Sequence, residues 1–221
     1  MKVALCLCGI VGSAEDKYGI GKQLDYKIAL QYYEKNFLNI NDVDVFIHTW
    51  SVDQRQGLEK DYKPVRSLYE PQIHFHPNLQ THSIRSRWYS TQKVIELKKQ
   101  YEKENNFIYD CVFIARLDLA LLKPLDLANY DMKYFYASHW NDKEGIIHHL
   151  GRGFLDLWFF SNSKNMDKFG DLYENIESYT NNNHIMSREH VTRVVGENNI
   201  RYILYRFVDH DIVRRVLGSA K

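Results

Sequence analysis

The sequence has no hydrophobic run long enough to cross a membrane. A membrane-spanning helix needs roughly 20 consecutive apolar residues, and no apolar stretch of this 221-residue chain approaches that length. Net charge is also low, because 29 lysines and arginines stand against 28 aspartates and glutamates. We therefore expect no membrane span, and no overall electrostatic attraction to nucleic acid or to an anionic membrane surface.

Cysteine is scarce, and its placement argues against disulfide bonds. The chain has three cysteines, and Cys6, Cys8 and Cys111 all lie in apolar segments with the character of buried strands. An odd number of thiols in such positions is typical of reduced cysteines in an intracellular compartment. The sequence therefore predicts buried thiols and a cytoplasmic protein.

Apolar segments of strand length alternate with segments of helical periodicity. Hydrophobic residues make up 44% of the chain, which is enough for one well-buried core. The runs at 2–8, 45–51 and 109–119 are typical of strands buried on both faces, and the patterns over 24–38 and 83–103 predict amphipathic helices. We expect a single α/β domain spanning all 221 residues, with a mixed, mostly parallel central sheet flanked by helices.

Shorter segments complete the predicted order of elements. Further strands are expected at 65–69, 134–138, 155–161 and 201–207. Further helices are expected at 165–179 and 188–197. Apart from the strand at 65–69, residues 53–82, which hold three of the four prolines, and residues 119–131 are expected to be connecting segments.

Two charged side chains end the most apolar segment. Arg116 and Asp118 follow a nearly continuous hydrophobic run, and in open α/β sheets ligands bind beyond the carboxyl ends of the strands. An aspartate there can hold a hard divalent cation, and an arginine can pair with phosphate. A purely structural ion pair between the two side chains is an equally open interpretation.

Other candidate ligand-binding residues also follow strands or begin a helix. Cys8, Gly9 and Gly12 belong to a strand end and a glycine turn, which lacks the full glycine pattern of a phosphate-binding loop but can contact a nucleoside. Thr49 and Trp50 end the second predicted strand. The first turn of the next long helix contains two arginines, which oppose the helix dipole and therefore point to a bound anion or to a solvated surface. These two arginines are Arg85 and Arg87.

Four segments, in this order, resemble those of short GT-A glycosyltransferases. They are Lys2-Val-Ala-Leu-Cys-Leu-Cys-Gly, Asp42-Val-Asp-Val-Phe-Ile-His-Thr-Trp-Ser, Ser86-Arg-Trp-Tyr-Ser-Thr-Gln-Lys and the run from Tyr109-Asp to Arg116-Leu-Asp-Leu. Such enzymes occur in bacterial capsule and lipopolysaccharide loci and in large DNA viruses such as the chlorella viruses. The resemblance implies a GT-A fold and transfer of a sugar from a nucleotide donor, with a UDP-sugar as the default, to a glycan acceptor.

The resemblance also implies a metal ion. In that family an Asp-x-Asp motif holds Mn²⁺ or Mg²⁺ against the donor diphosphate. This chain has Arg116-Leu117-Asp118, which keeps only the last carboxylate, the usual metal ligand. A histidine near the carboxyl terminus often joins the metal in the family, and His210 is the candidate here. Because the first carboxylate is missing, metal dependence stays open.

An inverting transfer needs a carboxylate to deprotonate the attacking hydroxyl. Asp156 is the first candidate because it opens a predicted strand beside a polar segment at 139–152, which we interpret as an acceptor loop. Glu189, at the start of a predicted helix, is the second. A turn-capping role for Asp156 is nearly as well supported by the sequence.

Two other functions stay open. A sugar nucleotidyltransferase shares a similar sheet, but would usually carry a glycine-rich loop with a basic signature that residues 9–13 lack. A non-catalytic domain that binds nucleotide or glycan within a larger assembly is the other alternative. Oligomeric state is not predicted.

Overall fold

The computed structural model describes residues 1–12, 23–139, 153–204 and 208–218. Most of the predicted acceptor loop, residues 140–152, lies outside the described residues, as do the last residues of the predicted strand at 201–207. The described residues form an α/β fold around a mixed seven-stranded sheet. Among the described helices, none combines the length and the apolar character needed to span a bilayer.

The elements alternate along the chain as the periodicity predicted. The described strands are β1 (Lys2–Gly9), β2 (Asp42–Thr49), β3 (Arg66–Tyr69), β4 (Cys111–Arg116), β5 (Leu119–Leu121), β6 (Phe135–His139), β7 (Leu155–Ser161), β8 (Ile200–Leu204) and β9 (His210–Ile212). The described α-helices are α1 (Tyr26–Tyr33), α2 (Arg55–Tyr62), α3 (Leu79–Asn105), α4 (Ser163–Gly170), α5 (Asn183–Val194) and α6 (Val213–Gly218). A π-helical turn, Glu34–Leu38, continues α1, and 3₁₀ turns lie at Val52–Gln54, Leu127–Asn129, Tyr173–Ser178 and Glu197–Asn199.

The large sheet has the strand order β3-β2-β1-β4-β7-β6-β8. Every neighbouring pair is parallel except those made by β7, which runs antiparallel to both β4 and β6. The predicted mixed, mostly parallel sheet is therefore confirmed. The carboxyl ends of β1, β2 and β4 lie at one edge, and the reversal of β7 brings its amino end to the same edge.

The sheet separates two hydrophobic cores. Alternate residues of β1 enter opposite cores because successive side chains of a strand point to opposite faces. Val3, Leu5 and Leu7 pack with the aromatic residues of α1 and its π-helical turn. The intervening residues, Ala4, Cys6 and Cys8, pack with α3. All three cysteines are buried, as predicted.

Several boundaries differ from the predictions. The segment 55–62 is helical although only Leu58 and Tyr62 of it are buried, which is too sparse a pattern to reveal a helix. Helix α5 begins at Asn183 rather than at 188, because the Asn182 side chain accepts hydrogen bonds from the first-turn amides. The segment 119–121, expected to be a loop, pairs with β9 in a separate two-stranded sheet. Strands of three residues are too short to show a periodic pattern.

A buried lysine joins α3 to α4. The Lys98 ammonium group is fully buried and donates hydrogen bonds to Glu102 (2.8 Å), Asp167 (2.5 Å) and the Ser163 hydroxyl (2.6 Å). Glu102 in turn accepts from the Tyr109 amide just before β4 at 2.9 Å. Because each buried charge is paired, the network is tolerated in the core, and it seats the carboxyl-terminal half of α3 beside the sheet.

We predict that Lys98→Met lowers the free energy of unfolding by about 3–5 kcal/mol, because it leaves the two carboxylates without their buried counter-charge. The matched control is Lys99→Met, at an exposed position of the same helix, which should change stability by less than about 0.5 kcal/mol. Urea unfolding of both variants measures the difference. Equal stability of the two would show that the Lys98 network does not hold α3 in place.

Candidate functional site

A pocket opens at the edge of the sheet where the carboxyl ends of β1, β2 and β4 meet. Its empty volume, which includes the open mouth, is about 820 Å³. The wall is formed by strand ends, by the segment before α3, by the first turns of α3 and by the start of α5. The lining residues are Cys8, Gly9, Ile10, Trp50, Gln72, His82, Ser83, Ile84, Ser86, Arg87, Arg116, Asp118, Asp156 and Asn183.

A buried hydroxyl group holds β1, β2 and α3 together beneath this pocket. The Ser90 hydroxyl oxygen accepts a hydrogen bond from the Gly9 amide at 2.9 Å and lies 2.7 Å from His48 Nδ1. The other His48 nitrogen lies 2.8 Å from a Glu70 carboxylate oxygen. Burial lowers the pKa of His48, against the opposing effect of Glu70. Because Ser90 is fully buried and outside the lining, this chain of contacts positions the pocket floor and is not a nucleophile site.

Gly9 supplies open backbone to the pocket. Its φ of +101° is a conformation that favours glycine, and a Cβ atom built there would meet no atom within 4 Å among the described residues. Gly12 also has a positive φ, but a Cβ atom there would lie 3.0 Å from the Asp118 Cβ. Gly9 therefore faces the pocket, whereas Gly12 packs behind Asp118.

Trp50 forms an aromatic wall. Its ring stacks on Tyr89 with centroids 5.5 Å apart and an interplanar angle of 23°, and its neighbours His48 and Phe75 make edge contacts. The indole Nε1 is buried and has no hydrogen-bond partner in the part of the chain that the structure describes. A buried indole N–H normally finds an acceptor, so this unpartnered donor is an unusual feature of the pocket wall.

Arg116 and Asp118 form a bidentate ion pair. Arg116 Nε and Nη2 donate to the two Asp118 carboxylate oxygens at 2.7 and 2.9 Å. The Tyr33 hydroxyl fixes the Arg116 backbone by donating to its carbonyl oxygen at 2.7 Å. Burial alone would lower the pKa of Arg116, but Asp118 raises it by more than burial lowers it. The net shift is upward, so the guanidinium group stays charged.

The two arginines of the α3 amino-terminal turns have different surroundings. Arg87 lines the pocket; its Nη1 contacts Cys8 and donates to the Thr91 hydroxyl at 2.8 Å, and its Nη2 donates to the Asp156 carbonyl oxygen at 3.2 Å. Arg85 lies outside the lining and pairs with Glu177. Of the two predicted anion ligands, the structure thus brings Arg87 into the pocket.

Asp156 lies at the start of β7 and reaches the pocket because that strand is reversed. Asn183, the first residue of α5, donates to its carboxylate at 2.5 Å. Burial raises the pKa of Asp156, but the electrostatic effects of His184, Arg116 and Arg87 together outweigh burial and lower it. The carboxylate is therefore ionised at neutral pH.

Three other sequence-predicted residues lie elsewhere. The Thr49 hydroxyl is buried and accepts from the Ser51 amide at 3.0 Å. Glu189 accepts two hydrogen bonds from Thr180 at the protein surface. His210 is buried, with its Nε2 3.2 Å from the Ser138 hydroxyl and its ring against Trp158. These residues do not line the pocket.

Sequence reasoning missed several lining residues. Ser83 and Ser86 lie in the helix predicted at 83–103, and His82 directly precedes it. The sequence therefore places all three near Arg87. Asn183 lies outside the helix predicted at 188–197, because α5 begins five residues earlier, although asparagine is a common N-cap residue. Gln72 lies in an aperiodic segment and gave no signal.

The described residues do not fit the metal ion that the family resemblance implies. Both Asp118 oxygens are occupied by Arg116, and His210 packs against Trp158 outside the lining. Within the described ranges, no group of three or more His, Cys, Asp or Glu side chains is arranged to hold a metal ion. We therefore derive no catalytic step through a metal.

No protein-family model matches the chain, and no curated protein matches it with a significant sequence similarity. The resemblance to GT-A glycosyltransferases therefore stays a prediction.

We predict that His210 makes the protein less stable in mild acid. Burial lowers the pKa of His210 from 6.5 to about 4, so between these values the unfolded chain binds a proton that the folded chain excludes, and stability falls as pH decreases. From pH 7 to pH 5 the loss from this residue should be about 2 kcal/mol. His210→Gln, which keeps a polar group but does not titrate, should remove that part of the pH dependence in urea unfolding. An unchanged pH profile in the variant would exclude His210 as its source.

Proposed function

We propose that this protein is a glycosyltransferase that moves a sugar from a nucleotide-linked donor, with UDP as the expected nucleotide, to a glycan acceptor. The observation that carries the proposal is one open pocket that combines an aromatic wall, two arginines and an ionised carboxylate at the carboxyl ends of β1, β2 and β4. Ligands bind at this edge in open α/β sheets. The mostly parallel sheet is compatible with the GT-A architecture that the sequence resemblance implies.

In this proposal the nucleoside lies between Gly9 and Trp50. The backbone at Gly9 has room for close approach, and the indole ring offers a flat apolar surface for a base or ribose. The unpartnered Nε1 of Trp50 offers one directed donor to a polar atom of the nucleoside. This combination suits a nucleotide better than a free sugar, because it places an aromatic surface beside cationic groups.

The diphosphate would then lie near Arg87 and Arg116. Departure of a nucleoside diphosphate places negative charge on the leaving oxygen while positive charge develops at the anomeric carbon. Preoriented N–H donors stabilise that charge in the transition state more than in the ground state. Both guanidinium groups are held in place by hydrogen bonds to the protein, so little reorganisation is needed when the charge appears.

Asp156 is the proposed base. The C1–phosphate bond breaks, a bond forms between C1 and the acceptor oxygen, and the hydroxyl proton passes to the Asp156 carboxylate. Before a donor binds, His184, Arg116 and Arg87 together hold the pKa of Asp156 below its usual value, which makes it a weak base. A diphosphate bound to the two arginines would offset their share of that effect and raise the proton affinity of Asp156 when the acceptor hydroxyl must be deprotonated.

We predict that a nucleoside diphosphate stabilises the protein selectively. A ligand at 100 times its dissociation constant adds about 2.7 kcal/mol of stability, which corresponds to a rise of about 5–10 °C in the thermal midpoint for a chain of this size. Thermal unfolding with UDP, GDP, CMP and dTDP, each with and without Mn²⁺, should show the largest rise with UDP. The same small shift with every nucleotide would contradict a specific donor site.

We also predict that Asp156→Asn binds UDP normally but slows hydrolysis or transfer of the donor sugar by about 100-fold or more, because general-base catalysis contributes at least that much. Release of UDP from UDP-sugars measures the rate. The comparison variant is Glu189→Gln, which removes the second candidate carboxylate at a position outside the pocket. If Glu189→Gln stops turnover and Asp156→Asn does not, Asp156 is not the base; a wild-type protein that binds UDP but never turns over would be a non-catalytic binding domain.

A further inference from the structure

We infer that the pocket binds the diphosphate of its ligand through Arg116 and Arg87 without a divalent cation, and that Asp118 is a positioning residue for Arg116. The inference rests on the proposed function, since it concerns the phosphate groups of the same donor. It differs from what the family resemblance implies, where the aspartate at the position of Asp118 binds a metal.

Both carboxylate oxygens of Asp118 are already occupied. Its side chain is 4% exposed, and each carboxylate oxygen accepts a hydrogen bond from a different nitrogen of one guanidinium group. Parallel N–H donation of this kind is the strongest arrangement that arginine makes with a carboxylate. A metal ion could use Asp118 only by displacing a cation that already neutralises it, so the residue is better suited to orient Arg116.

One terminal nitrogen of Arg116, Nη1, is not used by Asp118. Nε and Nη2 are taken by Asp118, whereas Nη1 makes no hydrogen bond within the described parts of the chain. The Arg116 side chain is 24% exposed and lines the pocket. Asp118 on one side and the Tyr33 hydroxyl on the backbone therefore hold a guanidinium group whose two Nη1 N–H donors are available to a ligand.

Arg87 is a second fixed guanidinium group in the pocket. This arginine reaches the same pocket from α3, where Thr91 and the Asp156 carbonyl oxygen hold its terminal nitrogens, and its Nε is buried without a partner among the described residues. Arginine suits phosphate oxygens because its planar donors bind in pairs. Two fixed guanidinium groups from different elements thus supply the positive charge that a bridging metal ion would otherwise supply. They add directed N–H donors to it.

The charged side chains that line the pocket cancel one another. Arg87 and Arg116 are balanced by Asp118 and Asp156, so the four charged side chains of the lining have no net charge. Binding of an anion must then depend on donors aimed at its oxygens rather than on a broad positive potential. The inference therefore requires that affinity respond strongly to loss of either arginine.

The test is isothermal titration of the full-length protein with inorganic pyrophosphate, in EDTA and separately with Mn²⁺. We expect pyrophosphate to bind in EDTA, and Arg87→Gln to weaken that binding by roughly tenfold to a hundredfold, the value of a charge-assisted hydrogen bond. Arg116→Gln alone would leave a buried charge on Asp118, so the second variant combines Arg116→Gln with Asp118→Asn and should weaken binding equally. Arg66→Gln, which removes a surface arginine paired with Glu104, should bind as the wild type does.

Each outcome decides the inference. Binding that appears only with Mn²⁺ would overturn it and leave a metal-dependent glycosyltransferase as the proposed function. No binding in either buffer, or equal binding by the wild type and both pocket variants, would also overturn it. Arginine-dependent binding of pyrophosphate in EDTA, together with no response to any nucleotide in thermal unfolding, would keep the metal-free diphosphate site and remove the proposed function.

Discussion

The packing of α3 across one face of the sheet determines the geometry of the pocket. In the carboxyl-terminal half of this 27-residue helix, the buried Lys98 ammonium group is held by carboxylates of α3 and α4. Near the middle of the helix, the Ser90 hydroxyl accepts from the Gly9 amide and contacts His48. With the helix fixed at these two points, Arg87 and the serines of the first turns lie against the strand ends. A shift of the helix by one residue would turn each of these side chains away by about 100°.

The reversed strand β7 brings a carboxylate to the same edge of the sheet as the arginines. Parallel strands present their carboxyl ends there, and in this chain β1, β2 and β4 contribute glycine, tryptophan, arginine and aspartate. An antiparallel strand presents its amino end at the same edge, so Asp156 stands opposite the arginines rather than on the far side of the sheet. The charges then influence one another, which is why the pKa of Asp156 is lowered although burial favours the neutral acid.

Arg116 and Asp118 neutralise each other within three residues of the chain, because two guanidinium nitrogens donate to the two carboxylate oxygens. The sequence left open whether these residues form a structural ion pair or a ligand site. The geometry supports both roles, since the pair is buried on one side while one guanidinium nitrogen remains available on the other.

Local patterns in the sequence were sufficient for the α/β class, for the buried strands of the sheet and for the positions of α1 and α3. They succeeded because continuous apolar runs and helical spacing are properties of neighbouring residues. They were also sufficient to place Cys8, Gly9, Trp50, Arg116 and Asp118 at strand ends, and the structure brings all five into one pocket.

Tertiary structure alone decided which of the remaining candidates belong together. Arg85 and Arg87 look equivalent in the sequence, but two residues correspond to about 200° around a helix, so one faces the pocket and the other pairs with Glu177. Asp156 and Glu189 were alternatives until strand direction placed only the first of them in the lining. The pairing of β5 with β9 buries His210 beside Trp158. The two strands are distant in the sequence, and no local pattern predicts that they pair. Contacts between segments distant in sequence have no local signature, and these contacts determine the site.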